Sequence, residues 1–168
     1  MRGRRWTLVV ALGFLASAPA TGSFARSAPP VLVVGMARAI DGDTLDVDGT
    51  RVRLHGIDAP EVRQQCEAPS GEKWACGQRA RAALTTWIGG GVIACAGRGH
   101  DRYHRLIAIC WADADDLGHR MVANGWAVAY RRYSADYVQD EESARGGRLG
   151  IWSGTFNMPS VWRTAKRR

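Results

Sequence analysis

Apolar and polar residues alternate along two short runs, Thr44-Leu45-Asp46-Val47 and Arg51-Val52-Arg53-Leu54. Such alternation gives a strand one face in a core and one in water. The Asp48-Gly49 between the runs supplies the residues that a tight hairpin turn needs. Residues 31–40 are apolar enough for a preceding strand, 92–95 and 106–111 for two more, and 126–130 for a further short one. The period then changes: Ala80, Ala83, Leu84, Trp87 and Ile88 share one face of a helix. Gly89-Gly90-Gly91 ends that helix. A second helix is expected over residues 116–123, stopping at Asn124-Gly125. A third is expected from Ser134 as N-cap, turning Tyr137, Ala144 and Leu149 inward, with Gly146-Gly147 loosening its last turn. A hairpin first and helices inserted later predict an α+β fold, a five-stranded OB-type Greek-key barrel with about three helices. A barrel of that kind does not by itself fix a function.

The first 25 residues stand outside this pattern. Met1-Arg2-Gly3-Arg4-Arg5 is a positive stretch, residues 6–15 form an uncharged apolar run, and small residues follow through Ala20 and Ala25. This is the layout of a cleaved secretory signal, and the run is too short for a membrane span. The expected organisation is a signal at 1–25, a linker at 26–32 and one domain at 33–168. The mature protein is then secreted or periplasmic, without stable membrane insertion, and a monomer. Loss of three arginines with the signal brings the net charge from +7 to about +4, which favours a polyanionic partner without naming one. An even set of cysteines in an exported chain points to disulfides. Cys66 and Cys76 bracket one loop, and Cys95 and Cys110 lie on adjacent expected strands, so the pairs are Cys66–Cys76 and Cys95–Cys110. A four-thiolate zinc site is the rival, but the spacing lacks a C-x2-4-C knuckle.

Four segments concentrate chemistry: Asp41-Gly42-Asp43-Thr44, Arg53 through Glu61, Asp101-Arg102-Tyr103-His104-Arg105, and Tyr130-Arg131-Arg132-Tyr133. Asp43 and Asp58 offer hard oxygen donors to a cation, and Glu61 can orient or deprotonate a water. Arg53 and Arg105 can fork onto phosphate oxygens as charge builds there. Arg102, Tyr103, Tyr130 and Tyr133 can hold a backbone and stack bases. The combination Asp-Gly-Asp-Thr, then Arg with Asp five residues on and Pro-Glu behind it, then Asp-Arg-Tyr-x-Arg, resembles the staphylococcal nuclease, or thermonuclease, family from about residue 33 to residue 163. Gly125-Trp126-Ala127, Ala144-Arg145 and Gly150-Ile151-Trp152 resemble its later landmarks. The resemblance implies Ca²⁺ held by Asp43, Asp58 and the Ala59 carbonyl, Arg53 and Arg105 on phosphate, and Glu61 as base or water-positioning group. It also implies cleavage of single-stranded DNA or RNA to 3′-phosphates. The competing readings are a barrel that binds nucleic acid without cutting it, and an envelope protein whose barrel binds another protein.

Two features stand apart from that pattern. His104 occupies a position where the family usually has glycine, which puts the aim of Arg105 in question. A two-residue turn at Asp48-Gly49 pairs Asp43 with Leu54 and puts Asp43 and Asp58 on one face. Simple alternation then sends Arg53 to the other face, unless a bulge at Gly56 or a longer turn intervenes.

Overall fold

The hairpin closes with the two-residue turn that Asp48-Gly49 dictates. Both residues are left-handed, with φ of 44° and 86°, and Val47 faces Thr50 across the turn. The computed structural model describes residues 29–166. The expected signal, the start of the linker and the terminal Arg167 and Arg168 lie outside the described residues. Strand β1 (Val31–Ala39) pairs antiparallel with β2 (Thr44–Val47), and β2 pairs with β3 (Thr50–Leu54). On its other edge β1 pairs with β7 (Val92–His100), which pairs with β8 (Leu106–Ala112). A parallel contact of β8 with β3, Arg53 facing Ile107, closes a five-strand barrel of the OB type. Along β8 every second residue is buried, from Leu106 to Ala112, as a strand with one face on a core requires.

Short elements cap this barrel. They are β4 (Ile57–Asp58), β5 (Cys66–Glu67), β6 (Lys73–Trp74), β9 (Asp115–Asp116) and β10 (Val128–Ala129). Helix α1 (Cys76–Ile88) buries Ala80, Leu84 and Ile88 and ends at left-handed Gly89, as its spacing predicts. Helix α2 (Leu117–Ala123) is capped by Asp116, whose carboxylate accepts from the Gly118 and His119 amides. Leu84, Leu117 and Met121 join Leu45, Val52, Leu54, Ile93 and Leu106 in the core. Among the described residues no helix is long and apolar enough to cross a membrane.

The run at 126–130 supplies a short strand as expected, β10, which pairs with β4 outside the barrel. Two expectations are corrected. Helix α3 (Val138–Gly146) starts beyond Ser134, because the Ser134 hydroxyl accepts from the Asp136 amide in a local turn instead of capping the helix. Tyr137 and Ala144 are buried as expected, but Leu149 is 44% exposed beyond the end of α3. A fourth helix, α4 (Pro159–Ala165), adds to the three expected.

Both disulfides close as expected. Cys95 faces Cys110 across β7 and β8, and Cys66–Cys76 ties β5 to the first turn of α1. Two disulfides, with no cysteine left free among the described residues, fit an oxidising compartment.

Candidate active site at the barrel mouth

Four chain segments meet where β2 begins and β3 ends. Leading into β2, the Asp41–Asp43 turn folds onto itself, the Asp41 carboxylate accepting from the Asp43 amide at 2.9 Å. Gly42 packs so closely on Ala59 that an added Cβ would lie 2.6 Å from the Ala59 methyl. Leu54 donates its amide to the Asp43 carbonyl, so the expected pairing of these two residues is present. The chain then reverses at Gly56, whose φ of 70° suits glycine. This break swings β4 away to pair with β10 and sets Asp58 beneath the mouth.

Arg53 nevertheless reaches both aspartates. Its Nη2 lies 3.0 Å from Asp43 Oδ2 and 3.3 Å from Asp58 Oδ1. Its Nη1 donates to the neighbouring Leu54 carbonyl at 3.0 Å, so the side chain curls back along its own strand. Alternation misjudged this residue because Asp43 lies just before β2 begins and Asp58 lies beyond the Gly56 turn. Neither belongs to an unbroken ladder, so face parity does not decide what a long side chain meets.

The second arginine is held differently. Asp101, in the turn before β8, accepts from the Tyr103 and Arg105 amides. It also accepts from Arg105 Nε at 2.8 Å and Nη2 at 2.6 Å. Arg105 Nη1 donates to the Thr44 hydroxyl at 3.0 Å, and Thr44 donates to Asp43 Oδ1 at 3.2 Å. One hydroxyl therefore joins the two arginine sites. His104 is exposed and has φ of 61°, a left-handed conformation that explains why glycine suits this position. Beside it, Arg105 is held by Asp101 and Thr44.

Tyr103 is exposed, with the Arg102 and Arg105 guanidiniums 5.4 and 5.5 Å from its ring centre. Tyr130 and Tyr133 meet edge to face at 4.7 Å, with Arg132 over Tyr133. The Tyr130 amide donates to the Gly56 carbonyl, which fixes this pair beside the strand leading to Asp58. The buried Glu141 of α3 steadies the segment, accepting from the Ala129 amide at 3.0 Å and Arg131 at 2.6 Å.

Two residues of the mouth escaped the sequence reading. Burial, and then the charge of Asp43, push Asp41 up to about 7. Its signal was the Asp-x-Asp spacing. Arg163 of α4 donates to Asp58 Oδ1 and Oδ2 at 2.9 and 3.0 Å and to Glu61 Oε1 at 3.0 Å. Burial pulls the Arg163 pKa down, but the hydrogen bonds and charges of Asp58 and Glu61 outweigh it, and the guanidinium is held more firmly charged than usual. Asp58 is raised, chiefly by burial and against the Arg163 hydrogen bond. The only signal for Arg163 was that it is the sole charged residue of its helix. Among the described residues, no group of three or more His, Cys, Asp or Glu side chains is arranged to hold a metal.

The chain is similar in sequence to known proteins. Residues 51–154 match the family of staphylococcal nuclease homologues. The chain belongs to that family. It is 33% identical to the succinoglycan biosynthesis protein ExoI of Rhizobium meliloti, over 71% of this chain and 64% of that protein. It is 33% identical to an uncharacterized endonuclease of Haemophilus influenzae, over 76% and 70%. It is also 33% identical to the micrococcal nuclease of Shigella flexneri, over 79% and 80%. The chain thus spans under two-thirds of the first of these relatives and more of the other two. Family membership makes the protein a hydrolase of the nuclease class, and the OB-type barrel is the fold that goes with it.

Proposed function

We propose that this chain is an exported, Ca²⁺-dependent nuclease that hydrolyses phosphodiester bonds of DNA, RNA or both and leaves 3′-phosphates. The observation that carries the reading is the convergence of two buried carboxylates, Asp43 and Asp58, on one cationic nitrogen of Arg53. A position that draws two carboxylates to a positive charge, with only oxygen donors around it, suits a hard cation. The donor set fits Ca²⁺, with Asp43, Asp58 and the Ala59 carbonyl as protein ligands and water completing the shell. The bound ion would polarise a phosphate oxygen and offset its charge.

In this account Arg53 turns from its carboxylates toward the phosphate and Arg105 grips a second oxygen, each through a planar fork. Glu61, with its side chain 34% exposed, can reach a water at the edge of the mouth. Water attack with departure of the 5′-oxygen leaves phosphate on the 3′ side. Arg102, Tyr103, Tyr130 and Tyr133 hold the strand on either side, by charge and by stacking on bases. Such contacts favour single strands, whose bases are free to stack. Residues 33–168 act as one monomeric nuclease domain, and the signal at 1–25 delivers it outside the cytoplasm, consistent with its two disulfides.

The test is incubation of the purified mature protein with end-labelled single-stranded DNA and RNA, in Ca²⁺ and in excess chelator. Cleavage that needs Ca²⁺ and yields 3′-phosphate ends is the expected result. Undiminished cleavage in chelator would remove the metal from the mechanism.

A further inference from the structure

Helix α4 is seven residues long and carries little that would bury it. Its start is fixed: Pro159 is buried, and Gln64 Nε2 donates to the Asn157 carbonyl at 2.7 Å. Beyond that start, Val161 is 57% exposed and residues 164–166 are exposed. What fastens the rest of α4 to the mouth is therefore Arg163, which grips both oxygens of Asp58 and one of Glu61. Asp58 receives a further bond from Arg53, so three N–H groups already lie on its two oxygens.

The same guanidinium thus occupies the carboxylate proposed for the metal and the one proposed for the water. A Ca²⁺ ion bound through Asp58 would sit about 2.3–2.6 Å from those oxygens. The Arg163 nitrogens lie 2.9 and 3.0 Å from them. Two cations sharing one buried carboxylate repel each other strongly, since little water screens them. They exclude each other more readily than they share.

We infer that Arg163 is a built-in cation that closes the site when metal is absent, and that Ca²⁺ displaces it, undocking α4 and freeing Glu61. This rests on the reading that Asp43 and Asp58 bind Ca²⁺. The competing role is a permanent brace, in which Arg163 holds Asp58 and Glu61 in place while metal is bound. The two roles predict opposite signs. A displaced cation weakens metal binding, so its removal tightens it; a brace strengthens binding, so its removal weakens it.

The test is calorimetric Ca²⁺ titration of the full mature chain without substrate, wild type against Arg163→Gln and Arg163→Lys, with amide exchange of residues 159–165 followed with and without Ca²⁺. Arg163→Gln is expected to bind Ca²⁺ at least about tenfold more tightly, because a competing full charge is gone. Arg163→Lys, which keeps the charge and loses the fork, should fall between the two. In wild type, saturating Ca²⁺ should speed exchange in α4 by about tenfold or more, as expected for an element that loses its fastening. Equal or weaker Ca²⁺ binding by Arg163→Gln, with α4 exchange indifferent to Ca²⁺, would overturn the displacement and leave the metal reading standing. No binding by either protein would overturn the metal reading itself. The wild-type exchange measurement keeps the inference testable even if the variants fold poorly.

Discussion

The two arginines of the mouth are delivered by regions built on opposite plans. Arg53 has a side chain only 12% exposed and is held by two carboxylates, Asp43 ahead of β2 and Asp58 in β4 beyond the Gly56 turn. Its half of the site exists only when the hairpin, the Gly56 turn and β4 are all in place. Arg105 is 25% exposed and is held mainly by Asp101, four residues before it in the same turn. Its half is nearly a local motif, tied to the other through the Thr44 hydroxyl. The difference suggests a division of labour: a buried half whose charges need one another to exist, and an open half that can meet substrate without disturbing the fold. Breaking the first should cost stability and chemistry together, while breaking the second should cost affinity with little stability.

The largest effect expected follows from removing the cation of the buried half. Arg53→Ala leaves Asp43 without its ion-pair partner, although Arg163 still attends Asp58. Stranding a buried charge typically costs 3–5 kcal/mol, and a loss of about 3 kcal/mol is expected in urea unfolding without Ca²⁺. Added Ca²⁺ should restore part of it, since a ligand that binds only the folded state stabilises it. Arg105→Ala under the same conditions should lose about 1 kcal/mol, since this pair is local and more open to water than the Arg53 cluster. Equal losses would erase the contrast between the halves.

Next in size is the Cys66–Cys76 bond, which closes the loop beyond Glu61. Replacing both cysteines by serine should cost about 2–3 kcal/mol by the loop-closure account. The effect on turnover should exceed that of replacing Cys95 and Cys110, whose strands are already paired. Parallel unfolding and rate measurements on the two double variants decide this.

A smaller effect concerns acid. Burial is the largest single influence on Asp101 and raises its pKa, but the hydrogen bonds from the Arg105 side chain and from the Arg105 and Tyr103 amides, with the Arg105 charge, together hold it below the usual carboxylate value of 3.8. A depressed folded-state pKa gives stability that is present above pH 3.8 and lost as pH falls through the folded value. Asp101→Asn should therefore flatten the acid limb of a stability profile by about 0.5–1 kcal/mol and leave neutral-pH unfolding cooperative. Unchanged acid dependence would show that Asp101 does not hold its turn. Smallest of all, His104→Gly should relieve the left-handed strain and pay it back partly in chain entropy, for a net gain under about 1 kcal/mol. Cleavage should change little, because Arg105 already has its partners.

The sequence made the barrel legible because its signals were local. Asp48-Gly49 set the hairpin register, the spacing of Ala80, Leu84 and Ile88 set the buried face of α1, and Gly89 set its end. The start of α3 was misjudged because Ser134 looks like an N-cap but spends its hydroxyl on the Asp136 amide. Of the site, the residues were legible and their mutual geometry was not. Arg53 joins Asp43 and Asp58 by bending past strand ends, where alternation has no force. Arg163 lies 105 residues from Asp58, and nothing in local spacing announces that contact.

The central claim is that this mouth performs hydrolysis and does not merely hold nucleic acid. It is tested most directly by single-turnover cleavage and equilibrium binding of one single-stranded oligonucleotide in saturating Ca²⁺, wild type against Glu61→Gln. The account predicts Ca²⁺-dependent cleavage by wild type, with the variant binding within about twofold and cleaving roughly 10²-fold or more slowly. Tight binding without Ca²⁺-stimulated cleavage, or a cleavage rate indifferent to Glu61→Gln, would contradict it.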